Sequence, residues 1–266
     1  LNPNEEQLEQ FIFNNTAIKN FYVKSDARHP LLDVTFDGVH ILDGDIVSTN
    51  PQILMQLKDE NRYLALNDTS AFKVWLVDQE GNQIRQFIDG QTMIFYPADE
   101  NNVAEKNMAK IEFKPTFMED GIYQLIVQAQ DRVGNASGNI DYKISFEVIT
   151  ASAISYVLNY PNPFTTSTQF VFTLTGSQVP DDVRISIYTV SGRLVKEITK
   201  EELGALRIGQ NRTEYRWDGT DQFGDKLANG VYLYRVSATV DGEELDNHYT
   251  KASPYFHNGF GKMVII

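Results

Sequence analysis

The stretch Asn-Gly-Val-Tyr-Leu-Tyr-Arg-Val-Ser-Ala at residues 229–238 decides the fold. An earlier stretch, Asp-Gly-Ile-Tyr-Gln-Leu-Ile-Val-Gln-Ala at residues 120–129, repeats its pattern. In both, every second residue from the tyrosine onward is apolar. Alternate residues of a β-strand face the same side, so each stretch predicts a strand with one buried face. The two tyrosines are about 110 residues apart, which is the length of one β-sandwich domain.

The glycine and tyrosine at the start of each stretch suggest a specific corner. Gly121 and Gly230 permit a tight turn into the strand, and Tyr123 and Tyr232 resemble tyrosine corners, in which a phenol bonds a backbone group across the turn. An unrelated glycine turn before an aromatic strand is the alternative. Because the pattern occurs twice at domain spacing, we expect an all-β fold of two tandem immunoglobulin-like antiparallel β-sandwiches.

The domain boundaries follow from the strand pattern and from composition shifts. Residues 1–28 are interpreted as the trailing segment of an upstream domain, and residues 29–149 as the first sandwich. A short linker is expected at residues 150–155, followed by the second sandwich at residues 156–266. Because Leu1 is not an initiator residue, we interpret the chain as a processed product or as a fragment of a longer protein.

Composition excludes several classes of function. The formal net charge of -13 argues against nucleic acid, which requires a basic surface. The chain has no cysteine, so disulfides, thiol catalysis and thiolate metal sites are excluded. No run of 18 apolar residues occurs, so no transmembrane segment is expected.

Four motifs in the last part of the chain carry a resemblance. They are Tyr-Pro-Asn-Pro-Phe (160–164), Ser-Gly-Arg-Leu-Val (191–195), Trp-Asp-Gly-Thr-Asp-Gln-Phe-Gly (217–224) and Ala-Asn-Gly-Val-Tyr-Leu-Tyr-Arg-Val (228–236). In this order they resemble the C-terminal sorting domain of type IX secretion cargo from Bacteroidota. The resemblance covers roughly residues 156–266. The same part also looks like the immunoglobulin-like part of flagellar hook-capping proteins.

The upstream part adds a second resemblance. Residues 30–47, 57–61 and 66–70 are similar to the immunoglobulin-like region that follows the gingipain-type cysteine peptidase domain in PorU-like proteins. That family hydrolyses or transfers peptides with a Cys–His pair. Since this chain contains no cysteine, no catalytic residue is carried over, and the chain itself is not expected to be an enzyme.

The resemblance implies a route and a set of partners. Such C-terminal domains are exported across the outer membrane to the cell surface or the extracellular space. A PorV-like outer-membrane β-barrel shuttle captures them, together with type IX translocon components. In many cargos a sortase then removes the domain, whereas PorU-like proteins are thought to keep theirs.

Two segments are candidates for recognition by such a partner. The first is Tyr160, Pro161, Asn162, Pro163 and Phe164, where two prolines favour an extended lead-in. The second is the apolar final strand, Gly261, Lys262, Met263, Val264, Ile265 and Ile266, whose edge or carboxyl terminus could pair with a receptor. The alternatives are a rigid domain entrance that nothing recognises and an ordinary core strand.

Acidic groups raise a calcium hypothesis that the sequence supports only weakly. Asp218, Asp221 and Asp225 form one group, and Asp43 and Asp45, with Asp59 and Asn61, form another. The first group lacks the alternation of an EF-hand loop, and turn capping explains its aspartates without a metal. The second is the better candidate of the two, because cations often stiffen extracellular sandwiches. No cofactor is expected. The four histidines are scattered and have no paired spacing.

The sequence therefore predicts a non-catalytic part of a secreted, surface-associated protein whose last domain is a sorting signal. Two alternatives from other classes remain open. The sandwiches could be accessory domains that stabilise an upstream cysteine-peptidase-like domain, or they could form an extracellular adhesion module.

Overall fold

A computed structural model describes residues 18–22, 26–245, 256–257 and 259–266 of the chain. Most of the segment interpreted as an upstream tail, together with residues 246–255 and 258, lies outside the described residues. The described part is almost entirely β-structure, which confirms the predicted all-β fold. No helix within it has the length and apolar character needed to cross a membrane.

The first sandwich is built from two sheets packed face to face. Its strands are β1 (Leu31–Phe36), β2 (Asp45–Val47), β3 (Ile53–Asp59), β4 (Phe72–Val77), β5 (Gln83–Gln86), β6 (Met93–Tyr96), β7 (Asn107–Phe113), β8 (Gly121–Ala129) and β9 (Tyr142–Val148), with a 3-10 turn at Thr69–Ala71. One sheet has the order β1-β3-β7-β6, and the other has the order β2-β9-β8-β4-β5. Strand β2 pairs parallel to β9, which departs from the expected antiparallel arrangement.

The second sandwich repeats this plan with a smaller first sheet. Its elements are β10 (Ala153–Tyr160), β11 (Gln169–Thr175), β12 (Asp182–Thr189), β13 (Leu194–Ile198), α1 (Lys200–Leu203), β14 (Gly209–Arg212), β15 (Gly230–Val240), β16 (Glu243–Glu244), β17 (Phe256–His257) and β18 (Phe260–Ile265). One sheet has the order β10-β11-β14. The other has the order β13-β12-β15-β18-β17, with β16 paired to the end of β15.

The two strands that decide the fold occupy equivalent places. Strand β8 lies between β4 and β9, and strand β15 lies between β12 and β18. Each buries the apolar stripe that the sequence predicts, and the stripe residues belong to the two separate hydrophobic cores. The buried residues are Tyr123, Leu125, Val127 and Ala129 in β8 and Tyr232, Tyr234, Val236 and Ala238 in β15.

Both tyrosines close their corners in the same way. Tyr123 Oη donates to Glu119 O at 3.0 Å, and Tyr232 Oη donates to Ala228 O at 2.8 Å. In each case the acceptor is the carbonyl four residues upstream, so the hydroxyl spans the turn while the ring stays in the core. This bond fixes the direction in which the chain enters the central strand.

The junction between the sandwiches is held by direct contacts. Strand β10 begins at Ala153, so residues 153–155 belong to a strand rather than to the expected linker, because they pair with β11. Gly176 N donates to Ile149 O at 3.1 Å, and Thr150 donates through its backbone and its hydroxyl to Asp120 Oδ1 at 2.7 and 2.6 Å. The connecting segment is therefore bonded to both sandwiches.

Gly209 makes the tightest approach across this junction. It has a φ of +97°, and a Cβ built on it would lie 2.5 Å from Ile46 O in the first sandwich. The Ile46 side chain packs in turn against the core of the second sandwich. Only glycine fits this position without moving one sandwich away from the other.

The tyrosine corners predict a measurable loss of stability when the hydroxyls are removed. Tyr123→Phe and Tyr232→Phe each delete one hydrogen bond while preserving the buried ring. We expect each to lower the free energy of unfolding by about 1 kcal/mol in urea titrations of the full chain. Tyr156→Phe is the control, because that side chain is 48% exposed, and we expect a change within about 0.5 kcal/mol. Equal effects from all three variants would contradict the corner assignment.

From the close approach at Gly209 we expect Gly209→Ala to lower the stability more than the same substitution at a glycine with a similar φ and open surroundings. Gly192 has a φ of +84° and open space around its Cα, so Gly192→Ala pays only the backbone penalty of about 1–2 kcal/mol. Gly209→Ala has the same backbone penalty, and the overlap of its Cβ with Ile46 O lowers the stability by at least about 1 kcal/mol more. Thermal unfolding of both variants measures the difference. Equal destabilisation would show that the sandwiches are not in contact here.

Candidate recognition surface at the last strand

The two segments that the sequence proposes for recognition meet in the structure. Asn162 Nδ2 donates to Lys262 O at 2.9 Å, and Val264 N donates to Asn162 Oδ1 at 3.0 Å. The side-chain amide thus offers strand β18 one donor and one acceptor, as a neighbouring strand would. Segments about 100 residues apart in sequence thereby form one edge.

Phe164 continues this pairing through its backbone. Phe164 N donates to Val264 O, and Ile266 N donates to Phe164 O, both at 3.0 Å. On its other side β18 pairs with β15, from Gly230 opposite Ile265 to Tyr234 opposite Gly261. The backbone groups of β18 therefore form hydrogen bonds on both sides. The sequence suggested that the edge of this strand could pair with a receptor strand, but the described part of the folded sandwich leaves no free edge of β18 for that pairing.

Burial divides the eleven candidate residues into two groups. Phe164, Gly261, Met263 and Ile265 are buried, and Phe164 packs against Trp217 with ring centroids 5.6 Å apart. A Cβ at Gly261 would overlap the ring of Tyr234, so this position admits no side chain. These four residues form core contacts and cannot touch a partner while the sandwich is folded.

The other candidates face outward and form one continuous surface. We call it the C-terminal edge, and it consists of Tyr160, Pro161, Asn162, Pro163, Lys262, Val264 and Ile266. Tyr160 is 65% exposed and Ile266 is 58% exposed, whereas Val264 is half-buried. The edge therefore combines apolar area with a single ammonium group. Aromatic and apolar side chains around a few polar groups are typical of protein interfaces.

Buried polar residues that the sequence did not single out hold this edge in place. Thr168 Oγ1 donates to Pro161 O at 2.8 Å, and Asn159 Nδ2 donates to Thr168 Oγ1 at 3.1 Å. Both side chains are buried, and both Tyr160–Pro161 and Asn162–Pro163 are cis peptides. The shape of the proline segment is thus fixed from inside the sandwich.

Asp45, Asp218 and Asp221, which were proposed as calcium ligands, cap turns, and Asp43 bonds a neighbouring strand. Asp43 Oδ1 accepts from Ser145 N at 2.9 Å, and Asp45 Oδ2 accepts from Leu42 N at 2.8 Å. Asp221 Oδ1 accepts from Phe223 N at 2.8 Å. A hydrogen bond from the Thr220 hydroxyl and the nearby Lys226 hold the pKa of Asp218 below its usual value.

The structure does not gather these four aspartates into a metal-binding group within its described part. Asp45, Asp218 and Asp221 instead accept hydrogen bonds from backbone N–H groups of their own loops, which is a turn-capping role, whereas Asp43 accepts from Ser145 on strand β9.

Comparisons with known proteins agree with the fold. Residues 159–242 match the family model of the FlgD Ig-like domain. This match covers most of the second sandwich and is to an immunoglobulin-like domain rather than to a catalytic one. No curated protein matches the chain.

Several solved structures are similar to the chain. Dimeric latent PorU from Porphyromonas gingivalis is 19% identical, with a TM-score of 0.34, over 91% of this chain and 20% of the PorU chain. A tetra-tandem repeat from the extending region of a large adhesion protein is 17% identical, with a TM-score of 0.28, over 89% of this chain and 49% of the other.

Fibronectin(III)-like modules of Clostridium thermocellum CbhA are 14% identical, with a TM-score of 0.23, over 85% of this chain and 100% of the other. This chain thus spans about a fifth of the PorU chain and about half of the adhesion repeat structure. Function must be argued from the residues of the C-terminal edge.

The pairing of Asn162 with β18 predicts the behaviour of two substitutions. Asn162→Ala removes both hydrogen bonds, so we expect the amide of Val264 to lose its protection from hydrogen exchange and the free energy of unfolding to fall by about 1–2 kcal/mol. Asn162→Asp keeps an acceptor for Val264 N but has no donor for Lys262 O. We expect that variant to retain the protection of Val264.

Thr166→Ala is the control for this pair, because Thr166 is exposed in the same loop. It should leave both the exchange of Val264 and the stability unchanged. If Val264 exchanged at the same rate in Asn162→Ala as in the original chain, Asn162 would not be the residue that covers this edge.

Proposed function

We propose that this chain is a non-catalytic part of an exported, surface-associated protein and that its second sandwich is a sorting signal of the type IX kind. The C-terminal edge is the surface that the export machinery recognises. The observation that carries this proposal is the meeting of the proline segment with the last strand. The first and the last part of the region that resembles a sorting domain contribute to one exposed surface.

The chemistry of the edge suits a protein partner. Tyr160 and Ile266 expose apolar area, and Lys262 adds one positive charge to a strongly acidic chain. An acidic group on the partner could pair with Lys262, while the apolar side chains fill pockets around it. A PorV-like outer-membrane barrel, accompanied by type IX translocon components, is the partner that the resemblance implies.

The prearranged backbone of the edge also favours recognition. Because Asn162, Phe164 and Thr168 already satisfy the backbone groups of both segments, a partner does not have to order them. Binding to a preformed surface avoids the entropy of ordering a flexible tail. We therefore propose that the partner recognises the side chains of a folded domain.

The first sandwich then acts as a spacer or docking module. Its contacts through Ile46, Ile149 and Asp120 hold it to the second sandwich. A tethered pair of this kind carries whatever precedes it at a defined distance from the C-terminal edge.

Export of a reporter tests the proposal directly. The full chain is fused behind a periplasmic reporter in a Bacteroidota host that has type IX secretion, because strand β10 begins at Ala153 and Ile46 packs against the second core. Reporter on the cell surface is compared with reporter in the periplasm. We expect surface delivery by the original sequence. The double variant Lys262→Glu with Ile266→Ser should reduce it at least about tenfold, the change that corresponds to a loss of 1.4 kcal/mol in partner binding.

The matched control alters the opposite edge of the same sheet. Val190 is 68% exposed, and Arg193 is exposed in the hairpin between β12 and β13. Val190→Ser with Arg193→Glu thus changes one apolar residue and reverses one charge, as the test variant does. Thermal melts of both purified proteins confirm folding. Equal delivery by the two variants, or retention of the original sequence in the periplasm, would overturn the proposal.

A further inference from the structure

Three aspartates meet at the end of the first sandwich that lies away from the second. Asp26 belongs to the lead-in segment, residues 26–30, which precedes β1. Asp59 is the last residue of β3, and Asp131 follows the end of β8. One carboxylate oxygen of each lies within 4.8 Å of the others, and no other such group occurs in the described ranges.

Two of these carboxylates are buried, and one oxygen of Asp59 has no hydrogen-bond partner. Asp59 is 5% exposed and Asp131 is 4% exposed. Asp59 Oδ1 is shielded from solvent and accepts no hydrogen bond. An unpaired buried carboxylate oxygen is strongly unfavourable unless a positive charge or a proton compensates it. Burial raises the pKa of Asp59, and the negative charges of Asp131 and Asp26 raise it further.

Two basic side chains near the cluster in sequence form ion pairs outside it, although Arg28 also lowers the pKa of Asp26. Arg28 forms an ion pair with Glu60, and Arg132 forms one with Asp68 at 3.2 Å. Within the part of the chain that the structure describes, only backbone N–H groups of Glu60 and Asn61 favour the ionised form of Asp59. The cluster therefore holds up to three negative charges without a cationic side chain against Asp59.

The other two carboxylates are oriented by their surroundings. Asp131 accepts from Val133 N, Asn135 N and Asn135 Nδ2 at 2.7 to 2.9 Å. Asp26 accepts from Asn61 Nδ2 at 2.7 Å and from Arg28 N at 3.2 Å. Each carboxylate oxygen has two lone pairs, so these bonds fix the groups without using their whole acceptor capacity.

We propose that Asp26, Asp59 and Asp131 bind a divalent cation of the calcium type. All three donors are oxygens, and two oxygens on opposite sides of a calcium ion are about 4.6–5.2 Å apart, which suits a cluster spanning at most 4.8 Å. Calcium also accepts a larger and more flexible set of oxygen ligands than magnesium, which requires a near-ideal octahedron. An open hollow reaches the cluster at Asp26, and its lining also includes Asn61, Glu60, Arg28 and Arg62.

The ion would fasten the lead-in segment to the first sandwich. That segment already contacts the sandwich, because Asn135 Nδ2 donates to Asp26 O at 3.3 Å and His29 Nδ1 lies 2.7 Å from Ala136 O. A cation joining Asp26 to Asp59 and Asp131 adds a bond between the segment and the ends of two strands. This site shares Asp59 with the second acidic group that the sequence suggested, but its other ligands are Asp26 and Asp131 rather than Asp43 and Asp45. It does not depend on the sorting role.

Calorimetry and thermal melts of the full chain test the site. Protein stripped with EDTA is titrated with calcium chloride or magnesium chloride. We expect one calcium ion per chain with a Kd of about 10⁻⁴–10⁻³ M, as in other extracellular calcium modules. At 10 mM calcium the Tm should rise by about 4–8 °C.

Asp59→Asn tests whether calcium binds through this buried carboxylate. The amide cannot bind calcium as a carboxylate does, so calcium affinity should fall at least about tenfold and the rise in Tm should disappear. Without calcium this variant should melt at or above the Tm of the original chain, because one buried charge is gone. Asp221→Asn, a turn-capping control, should respond to calcium as the original chain does.

Limited proteolysis reports on the lead-in segment itself. Calcium should slow trypsin cleavage after Arg28, whereas cleavage after the exposed Arg193 of the second sandwich should keep its rate. An original chain whose Tm, heat of titration and cleavage rates do not respond to calcium would overturn the proposal.

Discussion

The alternate burial of one central strand in each sandwich is the constraint on which the rest of the structure depends. Strand β15 places Tyr232, Tyr234 and Val236 in the core and pairs on both sides, so β12 and β18 can join only in registers that bury their own apolar residues. A shift of one residue would turn the entire stripe toward solvent. The tyrosine corner fixes where this register begins, because its hydroxyl bond ties the strand to the turn before it.

The same alternation decides what a partner can touch. Since Met263 and Ile265 fill the core opposite β15, Lys262, Val264 and Ile266 must face the other way. The proline segment extends this outward face because Asn162 replaces a strand residue beside it. Under the proposed function, contact with a partner and stability of the core thus depend on alternate positions of one short strand. Substitutions at outward positions can change binding without emptying the core.

Features carried by local pattern could be predicted from the sequence, whereas features that join distant segments could not. Period-two alternation and the glycine before each tyrosine gave the strands, the buried stripes and the all-β fold. The contact of Asn162 with Val264 spans 102 residues and leaves no periodic signal. The acidic cluster shows the same limit, because the sequence grouped Asp59 with Asp43 and Asp45, while the structure groups Asp59 with Asp26 and Asp131.

Strand direction separates the two proposed sites. Strand β8 begins at Gly121, opposite Val148 next to the junction, and runs away from it toward Asp131. Strand β10 begins beside the junction at Ala153 and runs away from the first sandwich to Tyr160. The cation cluster and the C-terminal edge therefore lie at the far ends of their respective sandwiches. A cation at Asp59 would stabilise the lead-in segment locally. Because both hydrophobic cores lie between this cation site and Lys262, we expect the C-terminal edge to be the same with and without the ion. The proposed cation site and the proposed recognition surface are consequently independent of each other, and evidence against one would not count against the other.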